Sequence, residues 1–351
     1  MLGAGGFIGS HLVPALLALP NVEVDAVDID LRKLEFESPR LRRRLGRIDT
    51  PGLLDELCGR SELVVSLTAL CTPALYNTDP LAVIDASYTH LVPLVEHCTE
   101  RSVRLLHFST CEVYGRLSLD SAGTPMQRMH EDDTALFLGP VARERWSYAC
   151  AKQLLERVIW GHGQHRGLDF TIIRPFNVIG PRMDFIPGVD GEGVPRVLAC
   201  FMNALLRGEE LLLVDGGQQR RSFVSVADFV DGVVRIVQRP LAARRQIVNL
   251  GHPGNDVSIR DLGEALAREF ARQVPSAPRA RFREVSAAEF YGEGYDDSER
   301  RLPDIEKAST LFGWDPQATL TGMLPEIVAD YVTRYGALLT PPARAGAAAS
   351  G

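Results

Sequence analysis

Near its start the chain reads Gly3-Ala-Gly-Gly-Phe-Ile-Gly9, and this glycine-rich segment runs directly into the helical sequence Ser10–Leu19. Glycine permits tight turns and close approach of the backbone to a ligand. The start of a helix also favours a bound phosphate, because its free N–H groups and its dipole present positive charge there. We therefore predict a dinucleotide-binding loop whose cofactor contacts come from Gly3, Gly6, Phe7, Ile8 and Gly9.

The strand sequence after this helix, Val22–Asp28, ends on a carboxylate. An acidic residue at this position of a βαβ unit accepts the ribose hydroxyls of the cofactor and repels a 2′-phosphate, so Asp28 favours NAD over NADP. The alternative interpretation is a glycine-rich turn followed by a surface aspartate. Asp49, after the next candidate strand, is a candidate adenine contact, and Leu67 is a further candidate at the end of the strand sequence Leu63–Leu67.

Strand sequences alternate with helical ones through the first half of the chain. Leu105–Phe108 and Phe170–Ile173 continue the series, with helical stretches between them. This alternation predicts an α/β fold with a doubly wound parallel (Rossmann) sheet and a smaller C-terminal substrate domain. The predicted ranges are 1–175 for the sheet domain, with return segments near 215–255, then 176–335 for the C-terminal domain and 337–351 for a disordered tail.

The predicted sheet lacks most of its first strand. A phosphate-binding loop normally follows a buried strand of about five residues, but only Met1 and Leu2 precede Gly3. We therefore expect the first strand to be truncated, with a natural start further upstream as a hypothesis.

Composition disfavours several classes of function. The chain has 351 residues and a net charge of −7, which argues against a nucleic-acid surface. No apolar run reaches the roughly 18–20 residues that span a bilayer, and the sequence shows no signal peptide, so we expect a cytoplasmic protein. Its six cysteines form no CxxC pair and no Cys/His zinc spacing, so no metal site is predicted.

Tyr148 and Lys152 form a motif of catalytic character. Four residues apart on a helix, the two side chains lie on one face. An ammonium beside a phenol stabilises the phenolate, so we predict that Lys152 lowers the pKa of Tyr148 from about 10 and makes it a proton acceptor near neutral pH. The alternative is a chance pair on a helix surface.

Polar residues follow the strand sequence Leu105–Phe108. They read Ser109-Thr-Cys-Glu-Val-Tyr-Gly115, at the carboxyl edge of the sheet where ligands bind. Thr110 is a candidate to hydrogen-bond a substrate hydroxyl beside Tyr148, and Glu112 supplies a carboxylate for a second proton transfer. A Ser/Thr turn with a solvated glutamate is the alternative.

Together these motifs resemble the extended short-chain dehydrogenase/reductase superfamily of nucleotide-sugar epimerases, dehydratases and decarboxylases. The resemblance continues through Arg174-Pro-Phe-Asn177, Gly180-Pro-Arg182 and Asp215–Phe223. It implies a Rossmann domain that binds NAD, a nucleotide-sugar site mainly in residues 176–335, and a homodimer formed through a pair of helices.

Several stretches resemble, more narrowly, the plant UDP-apiose/UDP-xylose synthases. They are Cys71–Asn77, His107–Gly115, Arg145–Lys152, Pro181–Gly188 and Glu289–Asp297. This resemblance implies that UDP-glucuronate is oxidised at C4 and then loses carbon dioxide, because the new ketone is β to the carboxylate. Reduction of the 4-keto pentose gives UDP-xylose, whereas retro-aldol opening, re-closure and reduction give UDP-apiose.

The same resemblance implies roles for individual side chains. Tyr148 takes the C4 hydroxyl proton, Thr110 orients the C4 oxygen, and Arg145 holds the sugar near its carboxylate. Glu112 is the additional base for the retro-aldol step. Cys71 and Cys111 occupy positions near the ring, with core packing as the alternative. The implied substrate contacts are Asn177, Arg182, Arg221, Tyr295 and Arg301.

Three other functions stay open on the sequence. A plain UDP-glucuronate decarboxylase would stop at UDP-xylose or the 4-keto pentose, and a C4 epimerase would keep the carboxyl carbon. A non-catalytic NAD-binding scaffold would turn nothing over, and the joint presence of Tyr148, Lys152, Thr110 and Glu112 argues against it.

Overall fold

The structure is a computed structural model that describes residues 1–116, 119–120, 122–292 and 296–339. Its strands are β1 (Val24–Asp28), β2 (Leu41–Leu45), β3 (Leu63–Ser66), β4 (Arg104–Phe108), β5 (Phe170–Pro175), β6 (Val178–Ile179), β7 (Glu210–Val214), β8 (Arg220–Ser222), β9 (Val224–Ser225), β10 (Gln246–Leu250), β11 (Asp256–Ser258), β12 (Arg281–Val285) and β13 (Arg300–Arg301). Its helices are α1 (Phe7–Leu17), α2 (Leu53–Arg60), α3 (Pro73–Thr78), α4 (Pro80–Ile84), α5 (Val92–Glu100), α6 (Ser147–Arg166), α7 (Val197–Arg207), α8 (Val226–Gln238), α9 (Pro240–Ala243), α10 (Ile259–Gln273), α11 (Ala287–Tyr291), α12 (Glu306–Phe312) and α13 (Leu320–Tyr335).

The main sheet is parallel and follows the order β2–β1–β3–β4–β5–β10. The position between β1 and β3 is held by Leu2, which forms parallel bridges to Val27 on one side and to Ser66 on the other. The direction in which successive strands are added reverses at this position, as in doubly wound sheets. The predicted α/β fold class is therefore confirmed, and β10 returns to this sheet from the C-terminal half of the chain.

Strand β2 lies at the edge of the sheet, where apolar alternation is not required. It carries the consecutive arginines 42–44, of which Arg42 pairs with Glu23 and Arg44 pairs with Glu56. Charged side chains on an edge strand also discourage pairing with a second chain. The strand was therefore hard to recognise from hydrophobic periodicity alone.

Helices pack on both faces of the main sheet. The neighbouring residues Val64 and Val65 of β3 belong to different core clusters, and consecutive strand residues point to opposite faces. The first cluster runs from Leu12 of α1 through the sheet to Phe201 of α7 and Tyr331 of α13. The cofactor-binding half and the C-terminal half are therefore joined by one continuous core.

Smaller sheets in the C-terminal half bring distant arginines together. Strand β8 lies between β11 and β13, and in the parallel pair β8–β13 Arg221 is the partner of Arg301. Strand β7 pairs with β12, and β6 pairs with β9. These pairings place both arginines on one side of the main sheet's carboxyl edge, where the candidate site lies.

The C-terminal helix α13 is followed by a 3-10 turn, Gly336–Leu339. The disorder predicted for 337–351 therefore does not apply to residues 337–339, and residues 340–351 lie outside the described part of the chain. None of the described helices is both long and apolar enough to cross a membrane.

Candidate active site

A cavity of about 810 Å³ lies at the carboxyl ends of β3, β4 and β5. Its wall combines residues that follow these strands with residues of α6, of the loop 181–196 and of the C-terminal sheets. Ligands of doubly wound sheets bind at this edge. The predicted site residues that line the cavity are Ile8, Leu67, Cys71, Thr110, Cys111, Glu112, Arg145, Tyr148, Lys152, Asn177, Arg221 and Arg301.

Tyr148 and Lys152 lie on the buried side of the first turns of α6. The Nζ of Lys152 donates a hydrogen bond to the carbonyl oxygen of Phe108 at 2.9 Å. The hydroxyl of Tyr148 lies 3.6 Å from the Sγ of Cys71. Because both side chains are buried at the cavity, the alternative of a chance pair on a helix surface is excluded.

The pKa of Tyr148 moves in the direction opposite to the prediction. Burial raises it well above the ordinary value, and the neighbouring Cys71, Tyr76 and Glu112 act in the same direction. Burial also lowers the pKa of Lys152 to about 8. The prediction was wrong because it counted the nearby charge and omitted the loss of water from both groups.

Tyr76 is a candidate that the motifs did not single out. Its ring stacks on that of Tyr148, with centroids 4.9 Å apart and an interplanar angle of 9°. The guanidinium carbon of Arg145 lies 5.0 Å from the centroid of the same ring. Tyr76 therefore contacts both the proposed proton acceptor and the arginine expected near the substrate carboxylate. The available signal was its place inside the stretch Cys71–Asn77.

A buried charge cluster adjoins Tyr76. Glu112 lies 2.6 Å from Arg145 and 3.4 Å from Arg301. Asp297, which the sequence did not single out, pairs with Arg301 at 2.5 Å, with Arg221 at 2.8 Å and with Arg145 at 3.5 Å. Within the described residues the cluster thus brings Arg145, Arg221 and Arg301 together with Glu112 and Asp297 at the cavity wall.

Glu112 is an ionised carboxylate in this cluster. Burial on its own would raise the pKa of Glu112, but Arg145 and Arg301 outweigh it, so the pKa is lowered. The Ser/Thr turn is present, because Thr110 Oγ1 accepts a hydrogen bond from the Glu112 N–H at 3.2 Å. The glutamate itself is 13% exposed and paired, which excludes the alternative of a solvated side chain.

Cys71 and Cys111, the two cysteines expected near the sugar ring of the substrate, differ in environment. Cys71 is exposed at the cavity and touches the Tyr148 hydroxyl, so packing in the core does not explain it. Cys111 is buried in a small cluster with Val113 and Phe176 and also lines the cavity. Burial raises the pKa of the Cys111 thiol, which keeps it protonated at neutral pH.

The glycine loop offers a cradle for a dinucleotide. A Cβ atom added at Gly5 would lie 1.8 Å from the carbonyl oxygen of Asp30, so only glycine fits there. At Gly6 the nearest described atom to an added Cβ is the Gly3 carbonyl oxygen at 3.5 Å, so the space in front of the helix is open. Helix α1 begins at Phe7 with no side-chain cap, which leaves its first N–H groups directed at that space.

Asp28 lies at the end of β1 beside this cradle. Its carboxylate accepts hydrogen bonds from the backbone N–H groups of Gly5 at 2.8 Å and Ile29 at 2.7 Å. A carboxylate has further lone pairs, so these bonds fix Asp28 and still leave acceptors for ribose hydroxyls. An open glycine cradle, an uncapped helix start and a carboxylate at the strand end together fit NAD.

A family model described as the NAD dependent epimerase/dehydratase family matches residues 1–251 of the chain. The chain belongs to this family. Its membership confirms the expected NAD-dependent enzyme of the extended short-chain dehydrogenase type.

Two plant proteins are similar to this chain over most of its length. UDP-D-apiose/UDP-D-xylose synthase from Oryza sativa subsp. japonica is 45% identical over 343 residues, which cover 92% of this chain and 86% of the relative. UDP-D-apiose/UDP-D-xylose synthase 1 from Arabidopsis thaliana is 43% identical over 347 residues, which cover 92% of this chain and 88% of the relative. The narrower resemblance found in the sequence is therefore confirmed.

Solved structures show the same epimerase/dehydratase fold. The PbgP3 protein from Burkholderia pseudomallei superposes with a TM-score of 0.84 at 32% identity, covering 97% of each chain. The UDP-glucuronic acid 4-epimerase from Bacillus cereus, solved with UDP-glucuronic acid and NAD, has a TM-score of 0.77 at 21% identity and covers 95% of this chain and 98% of that chain. At this identity the second likeness concerns the fold alone.

Some predicted cofactor contacts of this family member lie away from the cavity wall. The ring of Phe7 packs edge-to-face on His11 at 5.6 Å, so a cofactor contact is left to the Phe7 backbone. Asp49 is exposed and lies 3.0 Å from Arg47, and its adenine contact stays a prediction. Tyr295, predicted as a substrate contact, lies outside the described residues.

Arg182, a predicted substrate contact, binds helix α1 in the structure. Its guanidinium donates to Nδ1 of His11 at 3.0 Å, and Arg182 does not line the cavity among the described residues. The structure thus shows a contact of Arg182 with α1, and its contact with the substrate stays a prediction. Asn177 does line the cavity, with its Nδ2 donating to the Ser222 carbonyl at 3.0 Å.

Arg196 is a cavity residue that no motif indicated. It pairs with Asp184 at 2.8 Å and lies 5.8 Å from the centroid of the Phe7 ring. It stands at the end of the glycine- and proline-rich loop 181–196, where composition carries no periodic signal. Its position brings a further cation to the cavity wall.

Proposed function

We propose that the protein decarboxylates UDP-glucuronate through a 4-keto intermediate and returns the reduced products UDP-apiose and UDP-xylose, with NAD regenerated in each turnover. The observation that carries the proposal is the joint placement of Tyr148, Lys152, Cys71, Glu112 and Arg145 on one cavity. Relatives 42–45% identical carry the name UDP-D-apiose/UDP-D-xylose synthase, which supports the same substrate here.

Oxidation at C4 needs a proton acceptor and a hydride acceptor. When bound, the nicotinamide of NAD supplies the hydride acceptor and later the hydride donor. Tyr148 takes the hydroxyl proton in its phenolate form. Lys152, with a pKa of about 8, is poised to exchange a proton at neutral pH. Thr110 lines the same cavity as Tyr148 and would orient the C4 oxygen.

The substrate carries its negative charge on the carboxylate and the diphosphate. The arginine-rich cluster of Arg145, Arg221 and Arg301 supplies the complementary charge. Arg145 would hold the sugar near its carboxylate until carbon dioxide leaves, and Arg221 and Arg301 would hold the diphosphate by charge-assisted bonds. Asn177, on the same wall, completes the proposed substrate contacts.

The apiose branch requires a second base. Retro-aldol cleavage between C2 and C3 begins when a sugar hydroxyl loses its proton, and Glu112 is an ionised carboxylate at the cavity. Cys71, next to the Tyr148 hydroxyl, is placed to exchange a proton with the opened sugar. These two groups distinguish the proposal from a plain decarboxylase, which needs neither.

Product identification tests the proposal. UDP-glucuronate is incubated with the protein and NAD, and the products are assigned by NMR. We expect a branched pentose together with UDP-xylose. UDP-xylose or the 4-keto pentose alone would contradict the apiose branch and leave a plain decarboxylase, whereas a hexuronate product would favour a C4 epimerase.

Apolar side chains support the expected homodimer. Leu81 of α4 and both Leu154 and Trp160 of α6 are exposed, at 73%, 45% and 43%, and the two helices pack against each other. We propose that α4 and α6 pair with a second copy through exposed side chains such as Leu154. Leu154→Glu should shift the protein to a monomer in light-scattering chromatography, while Leu241→Glu, on the exposed helix α9, should not. An unchanged mass for Leu154→Glu, or a monomeric native protein, would refute this interface.

The proposed free thiol of Cys71 also bears on location. A cysteine that must stay reduced for catalysis fits a reducing compartment. This supports the cytoplasm as the site of action, which fractionation of the native cells would test.

A further inference from the structure

Lysine is rare in this chain and is therefore informative where it occurs. Of the 38 basic residues only Lys33, Lys152 and Lys307 are lysines, and all others are arginines. Lys152 belongs to the proposed catalytic pair. Lys33 follows Asp28 in the segment after β1 and has no role in the proposed chemistry. A compact ammonium with three donors suits a site where several carbonyl oxygens converge. A planar guanidinium fits such a site less well.

Lys33 binds the backbone of the loop that borders the cavity. Its Nζ donates to the carbonyl oxygen of Arg182 at 3.1 Å and to that of Asp184 at 2.9 Å. Both residues have left-handed backbones, with φ of +63° and +52°, a conformation that non-glycine residues adopt at a cost. The Lys33 ammonium thus binds the carbonyl oxygens of two residues, Arg182 and Asp184, on either side of Met183 in a strained turn.

The segment that carries Lys33 is packed on the glycine cradle. Asp28 binds the Gly5 N–H at 2.8 Å, and the Gly5 Cα lies so close to the Asp30 carbonyl that a Cβ would not fit between them. His11 of α1 makes a second link, because its Nε2 lies 2.9 Å from the Pro181 carbonyl oxygen. The contacts of Lys33 and His11 therefore both connect the glycine cradle region to the loop 181–196.

The loop itself forms part of the substrate side of the cavity. Met183 lies between the two carbonyls that Lys33 binds and lines the cavity, as does Arg196 at the end of the loop. Arg196 pairs with Asp184 at 2.8 Å, so the turn that Lys33 holds also positions this cation. Lys33 therefore connects the segment 28–33 to a turn whose neighbours Met183 and Arg196 line the cavity.

We propose that Lys33 is a positioning residue that couples the NAD site to the UDP-sugar site. NAD, held by Asp28 and the glycine cradle, fixes the segment 28–33, and Lys33 then holds the loop 181–196 in its binding geometry. The inference rests on the proposed function for the identity of the sugar nucleotide. Coupling of this kind is reciprocal, so each ligand should tighten the other by the same factor.

Calorimetric binding of UDP, measured with and without saturating NAD, tests the coupling. In the native protein we expect NAD to tighten UDP binding at least about five-fold, the lower end of typical coupling between sites. In Lys33→Met this factor should fall below about two-fold, with Kd for UDP alone unchanged. Lys307→Met is the matched control, because it removes another partly buried ammonium that binds a backbone carbonyl, that of Ile247, and it should keep the full factor.

The UDP-binding results distinguish a failure of the proposed coupling from a failure of the proposed function. Equal coupling in Lys33→Met and the native protein, or no coupling in the native protein, would overturn the inference. Failure of the native protein to bind UDP under either condition would instead contradict the proposed function.

Helix α13 also anchors the loop, with Asp330 accepting the Arg182 N–H and Tyr331 donating to the Met183 carbonyl, so Lys33→Met should fold. Its melting temperature checks this. A second measurement needs no variant: hydrogen exchange of the native protein should slow in residues 181–196 when NAD alone is added. Unchanged exchange there would overturn the inference even if Lys33→Met did not fold.

Discussion

Replacing Glu112 by glutamine should separate the two product branches. The substitution keeps the size of the side chain and its acceptor oxygen but removes the charge that faces Arg145 at 2.6 Å and Arg301 at 3.4 Å. A positioned general base contributes about 10²–10⁴ in rate, which corresponds to about 3–5 kcal/mol of activation free energy. The retro-aldol branch depends on this base in our proposal, whereas decarboxylation of a β-keto acid does not.

We therefore expect Glu112→Gln to lower the ratio of UDP-apiose to UDP-xylose at least 100-fold while total carbon dioxide release falls by less than about ten-fold. Product NMR and a carbon dioxide assay on the same samples give both quantities. Loss of one partner from a buried ion pair also costs stability, here about 1–3 kcal/mol because Asp297 still pairs with the arginines. Urea unfolding measures that cost separately.

Asp297→Asn is the matched control. It removes a carboxylate from the same arginine cluster but from a residue without a proposed role as base, so it should lower stability and leave the product ratio within about two-fold. An unchanged ratio in Glu112→Gln, or an equal loss of both products in both variants, would refute the assignment of Glu112 as the branch-specific base.

Three further predictions concern the cofactor and the catalytic pair. Tyr148→Phe should lower turnover at least 100-fold with unchanged NAD affinity, and near-native turnover would remove the proposed proton acceptor. Lys152, whose pKa falls from 10.5 to about 8 in the fold, should make the protein more stable as pH rises from about 8 to 10.5, since the unfolded chain still binds that proton. The full gain in the free energy of unfolding is about 3 kcal/mol. Lys152→Met should remove this part of the pH dependence when unfolding is measured in urea. The same dependence of the unfolding free energy on pH in both proteins would contradict the prediction. In Gly6→Ala the new Cβ would fill the open cradle, so NAD binding should weaken at least ten-fold without a lower melting temperature. The control Gly161→Ala should leave NAD affinity unchanged. An NAD affinity in Gly6→Ala equal to that of the native protein would place the cofactor elsewhere.

The sequence predicted the parts of the fold that rest on local pattern. A clear apolar or turn signal marks the glycine loop, the strand ending at Asp28, and the strands before Leu67 and Ser109. All of these elements lie at the predicted places in the sheet. Strand β2 was obscure because an edge strand needs no buried face, and its arginines broke the periodicity.

The site was predictable where a residue belonged to a motif and less so where tertiary packing decides. Tyr76 and Asp297 become candidates only when the chain brings them against Tyr148 and the arginines. Arg182 was assigned to the substrate from its motif, yet a left-handed backbone turns it towards His11. Sequence spacing contains neither that turn nor the burial that raises the pKa of Tyr148.

In the proposed reaction, this cavity removes the carboxyl carbon of UDP-glucuronate. The most direct test of this central claim is turnover of UDP-glucuronate labelled with ¹³C at C6, with NAD present in less than the substrate amount. We expect the label to appear in carbon dioxide and bicarbonate, the sugar product to be an unlabelled pentose, and NADH not to accumulate. Label retained in a six-carbon UDP-sugar, or no turnover by the folded protein with NAD bound, would contradict it.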